Sequence, residues 1–150
     1  MGDRVTGILD KYKRERAFLI PVLQDIQKEY NYLPVEVLKQ VSREMGIPLS
    51  QVYHVATFFK AFSLVPRGRH LATVCLGTAC HVRGAPGVLD EFKRQLGVDP
   101  GKTTKDMEFS LETVNCVGAC ALGPIVVVDG NYHGEMSPAK VRGVIGKREV

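Results

Sequence analysis

The chain has 150 residues, 45% apolar and 24% charged, with a formal net charge of +4. This composition supports one ordinary domain, or a helical segment packed on a smaller one, and excludes wholesale disorder. Its basic residues are dispersed apart from KYKRER at 11–16, which Glu15 interrupts. A nucleic-acid surface needs a basic stripe interleaved with exposed aromatics, and the sequence has none.

Near the start, the apolar run AFLIPVL at 17–23 follows basic residues and imitates a signal peptide. It contains Pro21, ends in Gln24 and Asp25, and lacks a small-residue cleavage pattern. No run approaches the roughly 20 apolar residues of a membrane span. The expectation is a soluble, intracellular, cytoplasmic protein that reaches a membrane surface only through a larger complex.

A short opening helix is expected around Ile8–Tyr12. Leu19, Leu23, Ile26 and Tyr30 then line one face of a second helix, which ends at NYLP. Pro34 suits the first turn of the next, whose face of Leu38, Val41 and Met45 runs until Gly46 and Pro48. Val52, Val55, Ala56 and Phe59 mark a further helix. Phe58, Phe59, Phe62, Tyr30 and Tyr32 are expected in the core of this small bundle. SLVPRGRH at 63–70 reads as the linker, which places a helical segment at 1–66 and a second domain at 67–150.

Beyond the linker the period changes. LATV reads as a strand, PGVLDEFKRQLG as a helix from Pro86 to Gly97, and FSLETV and IVVV as two more strands. Asp129–Gly130 signals a hairpin into NYHGEM, and Ser137 with Pro138 opens a last helix. The order is β-α-β, then β-β-α, so the chain is of the α+β class. A β-α-β unit makes its two strands parallel. Cys75 follows the first and Cys116 the second, so both leave the same sheet edge. Cys80 and Cys120 lie in the same two loops, and all four sulfurs come within reach of one centre.

These are the chain's only four cysteines. In a reducing compartment they read as metal-binding or redox-active before they read as disulfides. The gaps inside the pairs are four and three residues. A four-cysteine zinc site more often has two, so it stands as the alternative. A thioredoxin-type dithiol needs C-x-x-C, which neither pair offers. A 2Fe–2S cluster needs four thiolates and backbone N–H donors close to sulfur, and the small residues inside the pairs, LGTA and VGA, suit that approach. Its negative charge calls for an offset, for which Arg83 and the amino end of the helix near Pro86 are candidates. A Rieske centre needs two histidines, but only His81 adjoins a cysteine. His54, His70 and His133 read as structural or exposed. GVDPGKT at 97–103 has three residues between its glycines where a phosphate loop has four, and it follows a helix. With no G-x-G-x-x-G in the chain, any flavin or nicotinamide site is expected on another subunit.

C-x4-C, 35 residues, then C-x3-C resembles the thioredoxin-like 2Fe–2S subunit of NADH:quinone oxidoreductase. The same family supplies the small iron–sulfur subunit of NAD-linked, often electron-bifurcating, hydrogenases and formate dehydrogenases. LIPVLQDIQKEYNYLP, VYHVATFFKAF, GTACHVRGAP, TTKDMEFSLETVNCVGAC and GEMSPAKV resemble family segments in order, over roughly residues 8 to 145. The resemblance implies a helical segment followed by a thioredoxin-like domain, with one 2Fe–2S cluster on Cys75, Cys80, Cys116 and Cys120. It also implies a partner subunit bearing FMN and binding NAD(P)(H), and a large iron–sulfur or catalytic subunit. This chain is then a one-electron carrier with no catalytic residues of its own, and its helical segment is docking surface. Quinone, protons, formate and ferredoxin all fit as the far redox partner. No extension for a second cofactor is expected. The chain departs from the family at Gly123, where alanine is more frequent, and at Met107, where glycine is common.

Overall fold

The computed structural model describes residues 2–146, with side chains from residue 4 onward. The chain divides into two compact units, Met1–Pro66 and Arg67–Val150.

The first unit is helical: α1 (Gly2–Lys11), a 3-10 turn (Arg16–Phe18), α2 (Leu19–Tyr30), α3 (Val35–Met45) and α4 (Leu49–Phe58). α1 is longer than the short helix expected from sequence. Leu19, Val22, Leu23 and Ile26 of α2 are buried at helical spacing, and Val37, Leu38, Val41 and Met45 of α3 face them across one core. Two left-handed residues stop these helices, Asn31 at φ 63° and Gly46 at φ 62°. The Gly46 and Ile47 amides close α3 by donating back to its last carbonyls. Pro34 sits just before α3, in extended conformation, and not within its first turn.

The aromatic core expected from sequence needs correction. Phe62 is buried and Tyr30 packs against the core, but Phe58 is 72% exposed and Phe59 37%. α4 buries Val52 and Ala56 and ends at Phe58, and Phe59 is already extended. The helical period that would carry Phe59 inward therefore breaks, and Phe62 closes the core in its place. Phe58 lies one turn beyond His54 and stacks on it, on the outer face.

The second unit is a five-stranded sheet among the described residues, in the order β2-β3-β1-β4-β5. Its elements in chain order are β1 (His70–Cys75), α5 (Thr78–Val82), α6 (Ala85–Leu96), β2 (Lys102–Thr103), β3 (Phe109–Val114), β4 (Val126–Val128), β5 (Asn131–His133) and α7 (Pro138–Gly146). β1 and β3 are parallel, from His70 opposite Phe109 to Cys75 opposite Val114. β4 runs antiparallel to β1 and turns into β5 through Asp129 and Gly130, both with positive φ as a two-residue hairpin requires. Ala72, Val74, Leu111 and Val126 pack with Val88 and Phe92 of α6 and Val141 of α7. This is the mixed α+β, thioredoxin-like arrangement expected from the sequence. Two elements go beyond the sequence reading: α5, inside the first cysteine loop, and β2, a two-residue edge strand built from the rejected phosphate-loop segment.

Candidate metal centre

Strand pairing brings the cysteines to one edge. Cys75 is the last residue of β1, within the strand and not after it, and Cys116 lies two residues past the end of β3. Cys75 is out of phase with Ala72 and Val74, so its side chain leaves the main core and joins Cys80, Ala85 and Ile125. Cys80 is carried by α5 and is 1% exposed, and Cys75 is 2% exposed. Cys116 and Cys120 are solvent-exposed, with Cys120 opening a 3-10 turn (Cys120–Leu122). One pair is thus sealed and the other open.

Glycines set how closely the two loops approach. A Cβ on Gly77 would lie 2.3 Å from the Asn115 carbonyl oxygen, and one on Gly123 would lie 3.0 Å from the Cys80 sulfur. Gly118, at φ 81°, donates its N–H to the Cys116 sulfur at 3.2 Å. A strap from the far side holds the second loop: Glu135 N–H donates to the Leu122 carbonyl and Met136 N–H to that of Pro124.

The Cys116 and Cys120 sulfurs are 3.9 Å apart. Two thiolates sharing a tetrahedral metal, with bonds of about 2.3 Å, sit roughly 3.8 Å apart. Burial pushes the Cys80 thiol above its ordinary range; a backbone hydrogen bond from Ile125 opposes this, and Cys75 and Cys120 add to the rise. The Cys120 thiol is raised chiefly by its hydrogen bond with Cys116, with Cys75 also contributing. Cys75 and Cys80 share one buried cluster, and the Cys116 and Cys120 sulfurs face each other in the second loop. Among the described residues no three His, Cys, Asp or Glu side chains close round a single ion. The thiols come as two pairs in two loops, a donor set that fits a two-iron cluster with two thiolates on each iron.

The first turn of α6 lies against the sealed pair through Ala85, which gives the sulfurs a helix amino end. The Arg83 guanidinium, the candidate charge offset, lies against the second cysteine loop. It donates to the carbonyl oxygens of Cys120 and Ala121, each at 3.0 Å. That link across 37 and 38 residues, like the Gly123–Cys80 contact, has no signature in residue spacing. His81 is exposed on α5, His54 stacks on Phe58, and His70 pairs with Asp129 at 2.6 Å.

Comparison with known proteins gives consistent results. The profile of the thioredoxin-like 2Fe–2S ferredoxin family matches residues 5–149. The HndA subunit of the NADP-reducing hydrogenase of Solidesulfovibrio fructosivorans is 40% identical over 143 residues, covering 95% of this chain and 84% of that one. A subunit of the NADH-quinone oxidoreductase of Rhizobium meliloti is 33% identical over 141 residues, covering 94% and 84%. Among solved structures, an air-oxidised NAD+-reducing NiFe-hydrogenase superposes with a TM-score of 0.75 at 19% identity, over 89% of this chain and 23% of that chain. That similarity concerns fold.

Proposed function

The chain belongs to the thioredoxin-like 2Fe–2S ferredoxin family, and from that premise we propose that it is the one-electron carrier subunit of a multi-subunit NAD(P)-linked oxidoreductase. Cys75 and Cys80 hold one iron of its cluster, and Cys116 and Cys120 the other. The observation that carries this reading is the pairing of four thiols at the shared carboxyl edge of two parallel strands.

When bound, the cluster supplies a site that accepts and releases one electron. The chain's own residues hold and tune that site. Cys75 and Cys80 shut water from one side, while the Gly118 amide at Cys116 and the Ile125 backbone at Cys80 favour negative charge on sulfur. The amino end of α6 acts in the same sense.

The partners in this reading are a flavin-bearing, NAD(P)(H)-binding subunit and a large iron–sulfur or catalytic subunit. The relatives' names support it, because they belong to a hydrogenase and to NADH-quinone oxidoreductases. No helix among the described residues is long and apolar enough to cross a membrane. The helical unit is the docking segment, and exposed Phe58 is a candidate contact.

Anaerobic purification through a tag on this chain tests the assignment. A flavoprotein that oxidises NADH or NADPH is expected to co-purify, and either nucleotide then bleaches the cluster's visible absorbance. A chain that purifies alone, with absorbance unmoved by both nucleotides even after its source extract is added back, contradicts it.

A further inference from the structure

The two cysteine loops have separate scaffolds. The first runs from β1 into α5, and the second from β3 through a 3-10 turn to β4. The sealed pair of thiols belongs to the first loop and the open pair to the second. A centre that needs all four must fix one loop against the other.

At the β4 end of the second loop, the Cys75 N–H donates to the Ile125 carbonyl at 3.0 Å and the Ile125 backbone bonds the Cys80 thiol. Three more contacts cross nearer Cys116 and Cys120. Gly77 abuts the Asn115 carbonyl, and Gly123 abuts the Cys80 sulfur. Both set a distance of approach, but neither draws the loops together. The third contact is attractive: one guanidinium nitrogen of Arg83 donates to the carbonyls of Cys120 and Ala121. Arg83 caps α5 one turn after Cys80, and its own N–H donates to the Ala79 carbonyl, so its base is fixed to the helix bearing Cys80. Its acceptors include the carbonyl of Cys120 itself. Hydrogen bonds from a charged donor are stronger than neutral ones.

We propose that Arg83 is a positioning residue, which sets the open thiol pair in register with the sealed pair before the cluster binds and retains it afterwards. This rests on the reading of the four cysteines as ligands. Arg83 acts on Cys120 through the main chain, where a surface arginine serving only as a distant charge makes no such tie.

The test uses the full chain with Arg83→Met, of similar length without donors, and Arg83→Lys, which keeps the charge and some donors. In the cluster-free chain, hydrogen exchange is followed at the Leu122 and Gly123 amides, which donate inside the turn. In the Met variant these are expected to exchange about tenfold faster or more, while β1–β3 ladder amides are unchanged. In the loaded chain, cluster loss to a chelator is expected to accelerate about 10- to 100-fold, with partial rescue by lysine. Wild-type exchange in the Met variant, or wild-type retention despite a loosened turn, overturns the proposal. If no variant and no wild-type chain loads a cluster, the ligand reading falls, and the exchange data still decide whether Arg83 holds the turn.

Discussion

At residue 77 a methyl group would stand 2.3 Å from a main-chain carbonyl oxygen, with backbone on both sides of the contact. Gly77→Ala is therefore expected to destabilise the chain by about 1–3 kcal/mol or more, as forced overpacking does, and to weaken cluster retention. Gly123→Ala meets the Cys80 sulfur at 3.0 Å, a contact that a side chain can partly relieve. Its expected effect is a smaller loss of stability, with an altered visible circular dichroism of the cluster. Urea denaturation of both variants checks the order, and equal losses contradict it. Met107, at φ 58°, occupies a left-handed position that glycine would hold without strain.

The thiols give a pH dependence with a definite sign. Folding raises Cys80 by burial and Cys120 by its contact with Cys116. In the cluster-free chain the folded state therefore holds protons that the unfolded state releases first. Stability is full below the ordinary thiol range and falls as pH rises through it, so denaturation midpoints should drop between about pH 7 and pH 10. Cys80→Ala should flatten that slope, and an unchanged slope contradicts the assignment. Metal binding requires thiolate, so cluster loading should quicken over the same interval.

At the scale of elements, the helices were legible because burial follows their period. Leu19, Leu23 and Ile26 were readable as one face of α2 with Asn31 as its break, and Gly46 as the break of α3. Leu23→Ala is expected to cost about 2–5 kcal/mol, measurable by thermal or urea unfolding. The same reasoning failed at Phe58 and Phe59, because α4 ends there and the period ends with it. Phe58→Ala should change the stability of the isolated chain by less than about 0.5 kcal/mol, as surface substitutions do. Under the proposed docking role, its effect is on assembly. α5 and β2 were not legible for a different reason: five residues and two residues are too short for a period to show. The parallel pairing of β1 and β3 was legible, since β-α-β order dictates it, and that pairing alone brings Cys75 and Cys116 to one edge. The Arg83 bonds and the Gly123 contact were not, because they join residues distant in sequence and depend on loop conformation.

At the scale of the molecule, all four cysteines and their supports lie in the second unit, and the first unit has a core of its own. A chain beginning at Arg67 is expected to keep its cluster and to lose association with the other subunits. Loss of the cluster with retained association would reverse the proposed division of roles, and gel filtration with visible spectroscopy reads both.

The measurement that bears most directly on electron carriage is made on anaerobically purified full-length chain: iron and acid-labile sulfide per chain, with electron paramagnetic resonance before and after dithionite. About two irons and two sulfides are expected, with a spin-half signal that appears only on reduction. Stoichiometric zinc without sulfide, in protein never exposed to oxygen, contradicts this and leaves a metal-stabilised interaction module in place of an electron carrier.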